Sequence, residues 1–429
     1  MIHHIVAMVR VRGGSTNDGK IAWNWTENTM EQLMDENQQS EEPALFRNRS
    51  ASGAERNFHS SDSISDMHKG ITTSRSLLTF NFDHVYSPSS LSADIFDTSL
   101  KDLVVSSCQG FNGTIFAYGP TGSGKTHSIV GSNDDPGLFP LTLMEIFKYI
   151  AENRSEQFLL QVSYYEIDND EIKDLLGDDE DKEEGKEGKT KPVEKLKVVD
   201  RPDVGPLILG LTLVPVSKPE DAVEQLLRGN RKRKRLESGR KLGPHPATHA
   251  VLQLRIESTP SGGNGGNSQQ LNTRVAQLNL IDLAGSEKMQ VPGSSGAPKL
   301  NASLLTLGNV IAKLSERASH IPYRESTLTR LLSTSLGGNA RTAILCTVCP
   351  GQHELPNTLN TLRFGARAMS VVNNVRKNSV RSARSEMERF KKQIGTLRTQ
   401  LSEARVGTHA LATEEENTLL KIRLKEMEN

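Results

Sequence analysis

Gly119-Pro120-Thr121-Gly122-Ser123-Gly124-Lys125-Thr126 satisfies every fixed position of the G-x-x-x-x-G-K-[ST] phosphate loop. The glycines let the backbone curl so that successive N–H groups and a helix N-terminus face a β-phosphate. Lys125 is a cation for the β- and γ-phosphate oxygens, and the Thr126 hydroxyl is a ligand for Mg2+. A second constellation, Asp282-Leu283-Ala284-Gly285-Ser286-Glu287, follows the apolar residues 278–281. There Asp282 can reach the Mg2+ through water, and the Gly285 N–H can sense a γ-phosphate. A D-x-x-G is common by itself. After a strand, and far downstream of a phosphate loop, it points to a nucleoside triphosphate site. No guanine-reading Asn-Lys-x-Asp run occurs, so a G-protein-like switch is disfavoured.

These residues need a strand before each loop and a helix after the first. Residues 114–118 are apolar and β-prone, and residues 128–130 can continue a first helical turn. Strand character also marks residues 5–12, 77–82 and 158–165. Helical spacing marks 94–108, 141–150, 304–314 and 328–332. Residues 13–76 are polar with little periodicity and read as a disordered surface insertion. Residues 177–195 read as a solvated loop and 261–268 as a flexible connector. Residues 228–241 hold eight Arg or Lys and one Glu, a run that suits a solvated face, a nuclear signal or contact with an acidic polymer.

At 429 residues the chain has room for one large domain plus an appendage. Lys plus Arg and Asp plus Glu number 52 each, so overall charge suggests neither a nucleic-acid nor a membrane partner. Three cysteines suit a reducing compartment rather than a disulfide framework. Cys346 and Cys349 form a C-x-x-C inside an apolar strand-like run with no second pair to complete a zinc site. No apolar stretch is long enough to span a bilayer, and the N-terminus lacks a signal-type apolar region. The expected location is the cytoplasm.

Taken in order, GFNGTIFAYGPTGSGKTH at 110–127, VSYYEIDN at 162–169, DLAGSE at 282–287, SLLTLGNVI at 303–311, HIPYRES at 320–326, LGGNA at 336–340 and LRFGAR at 362–367 resemble the kinesin motor domain. The resemblance covers residues 4–12 and about 77–375. The phosphate-loop block and residues 158–176 look most similar to the centromere-associated, CENP-E-like kinesins. The resemblance implies an α/β fold of the P-loop NTPase type, with a central, mostly parallel, eight-stranded sheet flanked by helices. It also implies ATP and Mg2+ as ligands, the microtubule as partner, and a place on the cytoskeleton, including the spindle. Residues 1–370 would form the motor domain and 371–384 the neck linker. Residues 385–429 would begin a neck coiled coil that makes a homodimer, with Met387, Phe390, Ile394, Leu397, Leu401 and Ala404 on one seam and Leu420, Leu424 and Met427 on a second. A motor N-terminal to its neck implies plus-end-directed movement. Arg10 and Arg12 match the family's adenine-side motif, and His127 matches the ring that stacks on the base. Lys125, Asp282, Gly285 and Glu287 match the catalytic network.

Four positions depart from the family. Gly13 stands where a proline follows the adenine-side arginines. In the first switch, Asn-x-x-Ser-Ser-Arg-Ser-His becomes a segment anchored at Thr248 and His249, with Leu242 for the asparagine, His245 and Pro246 for the two serines and Ala247 for the arginine. Proline has neither hydroxyl nor N–H, and alanine cannot pair with Glu287. The 14 positions from Glu287 to Asn301 are fewer than the family has, and Thr327 replaces a lysine of the microtubule face. Groups that orient water or stabilise developing charge are commonly worth ~10²–10⁴ in rate. Two readings follow. In one, the chain is a motor whose first switch uses other residues, such as His245 or Ser238. In the other, it binds nucleotide and microtubules, hydrolyses poorly, and acts as a tether. The spacing of His245 and His249 suits metal binding only with a third ligand, and none is evident nearby.

Overall fold

The computed structural model describes residues 1–13, 21–33, 71–74, 77–177, 196–201, 205–238, 248–261, 272–287, 301–381, 394–399 and 414–428. Eight strands form the spine of the central sheet: β1 (Val6–Val11), β2 (His84–Tyr86), β3 (Gly113–Tyr118), β4 (Glu156–Asp168), β5 (Glu171–Asp174), β6 (His249–Pro260), β7 (Asn272–Asp282) and β8 (Arg341–Val348). Their spatial order is β5-β4-β6-β7-β3-β8-β1-β2. The four pairs from β7 through β2 are parallel, and the three from β5 through β7 are antiparallel. Two short strands, Val214–Val216 on β4 and Ser379–Arg381 on β7, pair off this path. The expected eight-strand path and α/β class are therefore present, with the parallel pairs gathered in one half.

Every residue of β3 is buried, because a strand inside a parallel array is covered on both faces. Its side chains alternate between two cores. Phe116 and Tyr118 join the core under α5 (Ala302–Ser315) and α6 (Leu355–Ala368). Ile115 and Ala117 join the core under α1 (Lys101–Cys108) and α3 (Leu138–Glu152). Phe364 of α6 stacks on Tyr118, with ring centroids 3.7 Å apart. The remaining helices near the site are α2 (Lys125–Val130) and α4 (Pro219–Ser238). Cys346 is fully buried in β8 and burial pushes its thiol up to about 12, so it is an inert core side chain. Among the described residues, no helix is long and apolar enough to cross a membrane.

The disordered insertion expected at 13–76 is corrected for residues 21–33. Trp23–Trp25 and Thr29–Gln32 pair as a hairpin, and the second strand also pairs with Leu77–Asn81, which pairs in turn with Ile71–Ser74. Trp23, Met30 and Phe80 are almost fully buried, and the Trp23 and Phe80 rings lie 6.3 Å apart. Residues 71–74 of that insertion are likewise a strand, whereas residues 14–20, 34–70, 75 and 76, and the loops at 178–195 and 262–268, lie outside the described residues. Both tryptophans of the chain, Trp23 and Trp25, sit in this hairpin. Intrinsic fluorescence should therefore be blue-shifted in the native protein and shift red on unfolding. Trp23→Ala should cost about 3–5 kcal/mol in urea denaturation. A native spectrum already like hydrated indole would refute the packed hairpin.

The C-terminal segment turns back onto the sheet. Val372–Asn374 pairs with Ile2–His4, and Asn378 exchanges hydrogen bonds with the Gly110 carbonyl, Asn112 and Asn339. Residues 394–399 and Glu414–Glu428 are helical. Of the expected seams, Ile394, Leu397, Leu420, Leu424 and Met427 are half-buried, whereas Met387, Phe390, Leu401 and Ala404 lie outside the described residues.

Candidate functional site

Sheet register creates the site. Parallel pairing sets Asp282 beside Ala117, so the end of β7 emerges next to the loop that follows β3. The chain after β3 turns through Gly122 and Gly124, with φ of 78° and 106°, before entering α2. No atom lies near a Cβ built on Gly124. Its requirement is conformational, since a left-handed backbone disfavours other L residues. The cleft above this turn has a volume of about 500 Å³. Arg10, Arg12, Thr121 to His127, Asp282 and Gly285 line it. Gly119 and Pro120 stand behind, and their carbonyls accept hydrogen bonds from Lys125 Nζ, each at 2.9 Å. Lys125 is nearly buried, and burial lowers its pKa against the opposing pull of Asp282 and Glu287. A cation held this way is pre-oriented for an anion entering the cleft.

The donor set fits Mg2+. Thr126 Oγ1 donates to Asp282 Oδ2 at 2.6 Å, and Asp282 Oδ1 is buried without a hydrogen-bond partner among the described residues. Such an orphaned carboxylate oxygen is suited to a metal-bound water. Among the described residues, no group of three or more His, Cys, Asp or Glu side chains could hold a metal. An Mg2+ ion needs no such cluster, since it is commonly held by one or two protein oxygens together with phosphates and waters. Thr126 and Asp282 would hold it, and the ion would neutralise charge on the β- and γ-phosphates.

Glu287 does not stand alone at the cleft edge. Its carboxylate accepts from the Thr121 N–H at 2.8 Å and from the Thr121 hydroxyl. Burial alone would raise its pKa, yet the Thr121 bonds and Lys125 hold it below the usual carboxylate range. A Cβ at Gly285 would meet the Thr121 hydroxyl and the Glu287 carboxylate, so a side chain there would have to displace the Glu287–Thr121 pair. Leu242, His245, Pro246 and Ala247 lie outside the described residues, and Ser238 is the last residue of α4. The His245–His249 spacing, set aside as a metal site for want of a third ligand, finds no support here, because both ring nitrogens of His249 already have protein partners.

At the other end of the cleft, Arg10 is committed to a network. It donates to Asp135 at 2.9 Å, to the hydroxyls of Ser92 and Ser128 at 3.0 and 3.1 Å, and to the Ser90 carbonyl. Asp135 also meets His127 Nε2 at 3.2 Å. Burial would raise the Asp135 pKa, but hydrogen bonds from Ser92 and Arg10 keep it low. Arg12 donates to the Gly122 carbonyl, bracing the phosphate loop. Beside Gly13 stands Pro88, which lines the cleft. Thr327, the substituted surface position, is tied to Asp170 through its N–H at 2.7 Å and its hydroxyl at 2.8 Å.

Sequence reasoning missed an ion network behind the metal position. Arg233, inside the basic run that suits a solvated face, a nuclear signal or an acidic polymer, is buried. Its Nη1 lies 3.3 Å from Asp282 Oδ2 and its Nε 3.5 Å from Glu166 Oε1. Glu166 is fully buried and also accepts from Thr248 Oγ1 at 2.5 Å. The available signal was periodicity: Ala222, Leu226 and Arg233 share the inner face of α4.

A family profile described as the kinesin motor domain matches residues 31–371. Kinesin-like protein KIN-7N of Arabidopsis thaliana is 35% identical over 378 residues, covering 85% of this chain and 43% of that protein. Kinesin-related protein 11 of Dictyostelium discoideum is 35% identical over 353 residues, covering 79% of this chain and 48% of that protein. The chain thus spans less than half the length of these curated relatives. A solved structure described as "Structure of a fast kinesin: Implications for ATPase mechanism and interactions with microtubules" superimposes with a TM-score of 0.66 and 29% identity, covering 89% of this chain and 95% of that one.

Proposed function

The chain belongs to the kinesin motor domain family, and from that premise we propose that it binds ATP with Mg2+ and couples its turnover to movement on microtubules. One observation carries this reading: Lys125, Thr126, Asp282 and Gly285 converge on a single cleft, with the carboxylate of Asp282 hydrogen-bonded to Thr126. The phosphate loop binds the triphosphate, Lys125 holds its β- and γ-oxygens, and Thr126 with Asp282 carries the ion. Arg10, Arg12 and His127 frame the base. Pairing of Val372–Asn374 with Ile2–His4, and of Ser379–Arg381 with β7 of the central sheet, supports residues 371–381 as a neck linker, and with it plus-end direction. The half-buried Leu420, Leu424 and Met427 support a homodimer through the terminal helix. The cellular setting is the microtubule cytoskeleton.

A second reading, a microtubule tether with poor hydrolysis, is favoured by one feature. The Glu287 carboxylate is spent on Thr121, and alanine stands at position 247, where the family places its arginine partner. ATP hydrolysis measured with and without microtubules separates the two. A working motor gives strong microtubule stimulation. A tether pellets with microtubules and retains nucleotide, yet gives no stimulation.

A further inference from the structure

His249 opens β6, is 1% exposed, and bridges two pieces of chain that flank the segment 288–300. The Ala284 N–H, in the turn that carries Asp282 and Gly285, donates to His249 Nδ1 at 3.0 Å. An N–H can only donate, so Nδ1 is the bare nitrogen and the neutral ring carries its proton on Nε2. That proton points at Ser303 Oγ, 2.6 Å away in the first turn of α5. The hydroxyl of Ser303 can then give its own proton to Asn301 Oδ1, and the same oxygen caps α5 by accepting the Ser303 N–H at 3.0 Å. All donors and acceptors in the chain Ala284–His249–Ser303–Asn301 run in one direction. Burial, together with the positive charges of Arg233 and Lys125, lowers the imidazole pKa to about 3, so the neutral form persists at ordinary pH.

We propose that His249 is a positioning residue that transmits displacement of the Asp282–Gly285 turn to the N-terminus of α5 through this hydrogen-bond chain. The proposal rests on the nucleotide-site reading above. Two short bonds through a rigid ring join that turn directly to the first turn of α5. A phosphate that pulls on the Gly285 turn therefore also pulls on the cap of α5. A buried histidine that merely fills the core would affect stability alone.

Hydrogen exchange in the whole chain, with ADP against a non-hydrolysable ATP analogue and no microtubules, tests the link. The native protein should show a nucleotide-dependent change in peptides covering 301–312. His249→Asn keeps an acceptor for Ala284 but cannot reach Ser303, and Ser303→Ala removes only the far partner. Both should lose the change at 301–312 while α2 still responds to nucleotide, and the double variant should be no worse than either single one. In co-sedimentation, the ratio of microtubule affinities between the two nucleotide states should fall about fivefold or more in each variant. Retention of the 301–312 response in both variants overturns the proposal, whatever their melting temperatures. So does its absence in the native protein when α2 responds. If α2 itself does not respond to nucleotide, the nucleotide-site reading fails and the link falls with it.

Discussion

Lys125→Ala is expected to weaken ATP binding by roughly 10²-fold, since hydrogen bonds to charged groups are worth ~1.5–3 kcal/mol each and, on the proposed reading, this ammonium would meet two phosphates. Residual turnover should fall by a further ~10²–10³-fold, because the same charge stabilises the transferring phosphoryl group. The side chain is buried and, among the described residues, its hydrogen bonds go to the loop carbonyls of Gly119 and Pro120, each at 2.9 Å. Alanine thus removes a charge that was costly to desolvate, and thermal stability should change little. Calorimetric titration and steady-state hydrolysis give the two numbers, with a melting curve as control. Unchanged nucleotide affinity in a folded variant would place the phosphates elsewhere.

Arg233→Met should cost about 3–5 kcal/mol of stability in urea denaturation. Loss of one partner leaves buried charge poorly compensated, and here the buried carboxylates are Glu166 and Asp282. Adding Glu166→Gln to Arg233→Met should recover part of that loss, because the neutral amide needs no cation. The two changes are then coupled, as expected for side chains in one network. A cost below about 1 kcal/mol would class the pair with exposed ion pairs and contradict its buried geometry. The same variant should weaken nucleotide binding as well, because Arg233 lines the cleft beside Asp282.

Much of the site was legible from sequence alone, because its chemistry is local. A phosphate loop needs a buried strand, glycines and a helix start in one continuous stretch, and residues 113–130 hold all of them. Asp282 was legible for the same reason, at the end of an apolar strand. The eight-strand path followed from the resemblance and from strand-like runs that match β1, β3, β4 and β7.

What tertiary structure decided depends on register and on distant partners. The Trp23 hairpin buries two apolar side chains in a polar stretch, and its third strand begins some 45 residues later at Leu77, so no local window contains the pattern. Arg233 reads as one cation among eight until β4, β6 and β7 bring Glu166, Thr248 and Asp282 onto its face of α4. Composition specifies charge but not which way it points, so a buried ion network and a solvated basic face look alike in sequence. Glu287 lacks an arginine at the expected place, and only the fold shows that Thr121 supplies the hydrogen bonds instead. His249 likewise carries no local mark of its two contacts, because they come from the turn after β7 and from α5.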